Sequence, residues 1–138
     1  MDFNKINDQL TVSGQILPDD VTVLVEKGFK TLICNRPDEE VEAALQSHVI
    51  EAAAKAAGLN FLYLPIYPGQ FTEDMADAMR RAMSELDGPI YAYCRSGTRS
   101  CTLWALSQAG ILPAPDIISQ AANGGYDLSG MAAYLAGK

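Results

Sequence analysis

One histidine, three cysteines and one tryptophan are all that this 138-residue sequence holds of the rarer side chains. A lone histidine and scattered cysteines cannot assemble the ligand set of a typical zinc site, so no metal is expected. An odd, sparse set of thiols is no disulfide framework and fits a reducing compartment. Long apolar runs are missing too, and nothing approaches the roughly 18 consecutive residues of a membrane span. The opening MDFNKINDQL lacks the basic start and apolar stretch of a secretory leader, so a cytoplasmic location is expected. Basic side chains are scarce. Lys and Arg number 10 against 17 Asp and Glu, a formal net charge of −7. That balance argues against nucleic acid and anionic membrane as partners, since both are gripped by clustered Lys and Arg. The GxxxxGK pattern of a nucleotide-binding loop is absent, and no cofactor is implied.

What is present is alternation. Apolar residues at 49%, charged residues at 20% and the lack of any linker or repeat make residues 1–138 one domain with a single sizeable core. Short apolar strands are expected at Leu10–Ser13, Thr31–Asn35, Phe61–Ile66 and 89–93. Between them fall helices at about Asp19–Lys27, from an N-cap at Asp38 through the Ala-rich stretch to Gly58, and at about Glu73–Leu86 behind a Thr72 cap. A helix from about Thr98 to Ala109 and two more near 115–122 and 128–136 complete the chain. Strands alternating with helices predict an α/β fold with a mostly parallel central sheet covered on both faces. In such sheets ligands bind beyond the carboxyl ends of the strands.

That is where the segment YCRSGTRS, residues 93 to 100, falls, between a strand and a helix. A nucleophilic cysteine must be a thiolate, and a free thiol's ionisation near pH ~8.5 is drawn down at a helix N-terminus or beside Arg. Cys94 has both on this reading, with Arg95 and Arg99 nearby and a helix opening at Thr98. Gly97 lets the backbone of Ser96, Gly97 and Thr98 turn its amides inward as an anion nest. Ser100 is placed to donate a hydrogen bond to the sulfur. The bland alternative is a buried structural cysteine in a tight turn.

CRSGTRS resembles two known loops. Protein tyrosine and dual-specificity phosphatases carry Cys-x5-Arg with Gly third after the cysteine; here Gly97 is third, but Arg99 is fifth and Ser100 sixth. The shorter spacing resembles single-domain rhodaneses, whose loop carries a persulfide. The surroundings VSGQILPDDVTVLVEKGFKTLICNRPDEE resemble a small bacterial family with a dual-specificity-phosphatase fold, described as phosphatase-like domains or sulfurtransferases. The same domain also occurs fused to metallo-β-lactamase-like persulfide dioxygenases. The anchors are Ser13-Gly14-Gln15, Asn35-Arg36-Pro37-Asp38-Glu39 and the Cys94 loop, so the resemblance spans nearly the whole chain.

The resemblance implies two chemistries. A phosphatase needs an acid for its leaving alkoxide, which in those relatives is an aspartate well before the cysteine. Here that region reads LPIYPGQFTED, and Glu73 and Asp74 are better read as acids of a first helical turn. The histidine that precedes the cysteine in phosphatases is Tyr93. Sulfur transfer needs only an accessible thiolate and a binding site for an anionic donor. The expectation is therefore a rhodanese-type sulfurtransferase with Cys94 as persulfide carrier, catalysis shared with Arg99 and Ser100, and thiosulfate or a low-molecular-weight persulfide as donor. Arg95, the loop amides, Arg36, Tyr67 and Gln70 would hold the substrate, and a persulfide dioxygenase or thiol acceptor would be the partner. A cysteine-dependent phosphatase is the alternative, and a non-catalytic persulfide-sensing module the third reading. Cys101 is read as core, Cys34 as core or resolving thiol, and His48 as structural or solvated.

Overall fold

The computed structural model describes residues 1–138. Strands β1 (Asn4–Lys5), β2 (Leu10–Ser13), β3 (Thr31–Cys34), β4 (Asn60–Tyr63) and β5 (Ile90–Tyr93) form one sheet in the spatial order β1-β2-β5-β3-β4. Four run parallel, and β1 is an antiparallel edge. Helices α1 (Asp20–Glu26), α2 (Ser47–Ala56), α3 (Glu73–Glu85), α4 (Thr98–Gln108), α5 (Ala114–Asn123) and α6 (Ala132–Ala136) cover it. This is the α/β architecture expected from the alternation, and no helix is long and apolar enough to cross a membrane.

Side-chain alternation along β5 divides the interior. Ile90 and Ala92 join Ile33, Met79, Leu103, Trp104 and Ile117 on the face covered by α3, α4 and α5. Tyr91 and Tyr93 point the other way, into Leu24, Leu32 and Ile50 beneath α1 and α2. One four-residue strand thus supplies both cores, which is why IYAY reads as an unbroken apolar run. Trp104 is the largest fully buried side chain, and emptying its site would cost about 3–5 kcal/mol.

Thr72 caps α3 as expected, its hydroxyl accepting from the Met75 amide at 3.2 Å. Three expectations need correcting. The stretch from Asp38 to Gly58 is not one helix: two 3₁₀ turns, Asp38–Glu40 and Ala43–Leu45, precede α2. Asp38 does cap a helix, but one that starts nine residues on. Its carboxylate accepts from the Ser47 amide at 2.6 Å and the Ser47 hydroxyl at 2.9 Å, while Val41 is extended (φ −130°, ψ 155°). The run FLYLPI forms a regular strand only to Tyr63; beyond it the register slips by one, the Leu64 N–H donating to Cys34 O at 2.9 Å and the Ile66 N–H to Asn35 O at 2.8 Å. The last helix is a 3₁₀ turn, Ser129–Met131, followed by the short α6.

The register positions the site. Ser13, Tyr93, Cys34 and Tyr63 stand in line across the sheet. The residues that follow them, Gly14, Cys94, Asn35 and Leu64, therefore leave from one carboxyl edge. With β5 flanked by β2 and β3, that edge is where a ligand crevice is expected.

Candidate active site

Cys94 extends β5 by one residue, its amide donating to Ser13 O at 3.2 Å. The chain then turns through Arg95 and Ser96 to Gly97, whose φ is 92°. A side chain is strained at that φ, and a Cβ there would lie 2.0 Å from the Tyr126 hydroxyl oxygen. The Gly97 N–H donates to Cys94 Sγ at 3.0 Å. Gly97 O accepts from the Cys101 amide at 2.9 Å and so starts α4. No side chain caps that helix, so its first-turn amides are free to meet an anion. Gly14 seats the loop from the other side, for a Cβ there would be 2.6 Å from Arg95 O.

Arg99 leaves the first turn of α4 and meets a carboxylate. Its Nη1 donates to Glu40 Oε2 at 2.9 Å and its Nη2 to Glu40 Oε1 at 2.7 Å, in a bidentate pair. Nη1 also donates to Ile66 O at 2.6 Å. Arg36 approaches the same acid, with Nε 3.4 Å from Glu40 Oε1 and Nη2 3.3 Å from Glu40 O, and reaches Gln15 Oε1 at 3.2 Å. The Arg99 hydrogen bonds hold the Glu40 carboxyl below the usual carboxylate range, with Arg36 adding to the effect. The same pairing raises Arg99. Glu40 ends the first 3₁₀ turn, and the extended Val41 stops the helix there while the Glu40 side chain faces Arg99.

A cleft of about 590 Å³ opens here, lined by Arg36, Glu40, Pro68, Arg95, Ser96, Thr98 and Arg99, with no hydrophobic side chain. Three arginines against one glutamate make it locally cationic in a chain of net charge −7. Of the residues expected from the sequence, Arg36, Arg95, Ser96, Thr98 and Arg99 meet in this cleft. Cys94 lies under the loop, fully buried, where the sequence predicts an accessible thiol: the Gly97 amide closes over the sulfur. Ser100 is buried on α4 with its hydroxyl making no hydrogen bond within the protein, and the donor to the sulfur is instead the Gly97 amide. Tyr67 and Gln70 do not join the cleft lining. Tyr67 turns its hydroxyl to the Glu39 carboxylate, which pushes the phenol up to about 12, and Gln70 is an exposed residue of the 67–70 turn. Glu73 pairs with Lys138 and Tyr134, and Asp74 stays outside the cleft.

The other thiols are poor nucleophiles. Burial pushes Cys34 up to about 11 and Cys101 up to about 12, so both stay protonated at neutral pH. Tyr93, in the place of the phosphatase histidine, is raised by burial as well. His48 is exposed on α2. Two site residues escaped the sequence reading. Glu40 carried a faint signal, an acid four residues after Arg36. Tyr126 carried none, because it meets the loop from 30 residues away.

A parallel α/β sheet with a cysteine-led anion loop between its central strand and the next helix defines the phosphatase-like fold class. Within that class the chain belongs to the family described as beta-lactamase hydrolase-like protein, phosphatase-like domain, whose model matches residues 2–111. It is 34% identical over 133 residues, 95% of its length, to a beta-lactamase hydrolase-like protein of Agrobacterium fabrum strain C58. The chain spans only 31% of that curated relative. A Neisseria meningitidis Z2491 structure, described as that of a candidate phosphatase, superposes with a TM-score of 0.80 at 30% identity, covering 95% of this chain and 94% of its own. A Shewanella putrefaciens CN-32 structure with the same description gives 0.72 at 19% identity, covering 94% and 83%.

Proposed function

We propose that the domain hydrolyses phosphate monoesters through a cysteinyl-phosphate on Cys94. The observation that carries this reading is the Gly97 amide, aimed at Cys94 Sγ from 3.0 Å at the uncapped start of α4. That N–H stabilises a thiolate, and the neighbouring helix amides offer an electrostatic seat for three phosphoryl oxygens. The candidate-phosphatase description of the Neisseria relative, whose chain aligns over nearly its whole length, supports the same reading.

The sulfur attacks phosphorus, an S–P bond forms and the P–O bond to the leaving group breaks with its electron pair going to that oxygen. Water then attacks the phosphocysteine, releasing phosphate and returning the thiolate. Arg99 binds the equatorial oxygens once it lets go of Glu40. No other carboxyl lines the cleft, and Glu40 is held ionised by Arg99, so protonation of the leaving oxygen has no ready donor. The substrates that fit are aryl phosphates and others whose leaving group departs as a stable anion.

The same missing acid favours a second reading, the sulfurtransferase. Thiosulfate or a persulfide hands its outer sulfur to the Cys94 thiolate, an S–S bond forming there as the donor's own S–S bond breaks, and leaves as sulfite or thiolate with no proton needed. One pair of measurements separates them. Cys94-dependent hydrolysis of an aryl phosphate, with no mass gain after thiosulfate or glutathione persulfide, supports the phosphatase. A gain of one sulfur on wild type but not on Cys94→Ser, without hydrolysis, overturns it in favour of sulfur transfer.

A further inference from the structure

The peptide unit joining Ser96 to Gly97 is held at both ends. Its N–H donates to Cys94 Sγ at 3.0 Å, and its C=O accepts from the Tyr126 hydroxyl at 2.9 Å. That hydroxyl in turn accepts from Asn4 Nδ2 at 3.1 Å. Asn4 lies on the edge strand β1, Tyr126 just beyond the Gly124-Gly125 turn after α5, and Tyr126 falls outside the residues that the family model matches. The contact is close: the Tyr126 ring would collide with any side chain at position 97.

We infer that Tyr126 is a positioning residue for the nucleophile, fixing and polarising the Ser96–Gly97 peptide so that its N–H stays on the Cys94 sulfur. The argument rests on geometry and on a general property of amides. A hydrogen bond accepted at a peptide carbonyl strengthens the donor power of the same peptide's N–H, and chains of such bonds reinforce one another. The carbonyl bond also prevents the peptide from flipping, a motion that would turn an oxygen lone pair toward a thiolate. Asn4 fills an acceptor site on the hydroxyl, leaving its proton directed to Ser96 O. Burial raises the Tyr126 phenol above its ordinary range, so it remains a donor through neutral pH. The charged or titratable groups around the sulfur are Arg99 and Cys101 on α4, Cys34 at the end of β3 and Tyr126 itself. Only Tyr126 acts through the peptide that faces it.

This inference rests on Cys94 working as a thiolate, which both functional readings require. The test is an ultraviolet thiolate titration of wild type, Tyr126→Phe and Asn4→Ala, each with its matching Cys94→Ser variant subtracted. Phe keeps the ring and removes only the hydroxyl. The Tyr126→Phe midpoint is expected to move to higher pH by roughly half a unit to one unit, about the effect of one modest hydrogen bond, with a smaller shift for Asn4→Ala. Turnover, read as kcat, is expected to fall at pH below that midpoint and to recover above it, which loss of loop structure would not allow. A Tyr126→Phe curve that overlays wild type would overturn the inference and leave the proposed function standing. A wild-type midpoint no lower than that of a free thiol would overturn both.

Discussion

On the proposed function, the carboxylate of Glu40 occupies the guanidinium that a substrate anion would use, so Glu40→Gln is expected to tighten anion binding. The pair is bidentate, at 2.7 and 2.9 Å, and its side chains are only 12% and 23% exposed. A well-formed, mostly enclosed pair of this kind has a coupling of about 1–3 kcal/mol, and the open mouth of the cleft argues for the lower half of that range. Taking about 1–2 kcal/mol as the barrier that an incoming phosphate must overcome, glutamine should lower its Kd by roughly 5- to 30-fold. Gln can still accept from Arg99 and fills the same volume, so the fold should survive. Calorimetric titration with phosphate and with vanadate, at pH 7 and fixed ionic strength, reads the change directly. Steady-state kinetics should show a lower KM with kcat within about threefold. Unchanged or weaker binding in Glu40→Gln would refute the reasoning and recast Glu40 as the support that holds Arg99 in place.

Other expectations concern stability and the remaining thiols. Glu40 ionises below its ordinary value of 4.5 in the folded protein, so its contribution is present above that value and is lost as pH falls through the depressed one. Wild type should lose its Tm more steeply than Glu40→Gln on acidification from about pH 4.5, as checked by thermal melts across that window. Gly97→Ala should lose activity and about 1–3 kcal/mol of stability, because φ is 92° and the new Cβ meets Tyr126; a denaturant melt with normal midpoint would contradict the geometry. Cys34→Ala should keep turnover within about threefold, since its buried thiol titrates at about 11. Thr72→Ala should cost about 1 kcal/mol with no change in KM, the mark of a cap remote from the cleft.

The parallel part of the sheet was legible because β2, β3 and β5 are short and buried along their whole length, and such runs between helices leave little choice of architecture; the two-residue antiparallel edge β1, Asn4–Lys5, offers no such run and was not foreseen. Thr72 was legible as a cap because its partner is three residues away. Asp38 was misjudged for the converse reason: its partner, Ser47, is nine residues ahead, and local pattern cannot see a cap that reaches over two 3₁₀ turns. That error hid Glu40, since a single helix opening at Asp38 would place it in the first turn as a solvated acid, whereas the chain leaves the helix at Val41 and Glu40 pairs with Arg99. The Cys94 loop stood out since glycine, arginine and cysteine each have a local physical role. Tyr126 could not be read, because its role comes from tertiary contact alone.

The seating of the loop has a consequence for how such a domain can diversify. Its path is fixed from below by main chain and by half-buried groups, with Gly14 under Arg95 O and Tyr126 on Ser96 O. The side chains of Arg95, Ser96 and Thr98 are exposed, and the one hydrogen bond among them, Ser96 Oγ to Thr98 Oγ1 at 3.1 Å, lies on the outer side of that seating. Shape and selectivity are therefore written in different atoms. On the proposed function, exchanging those three residues should retarget the cleft toward larger, smaller or less charged esters while Cys94 stays where it is. A library randomised at positions 95, 96 and 98 would sample new substrates on an intact scaffold.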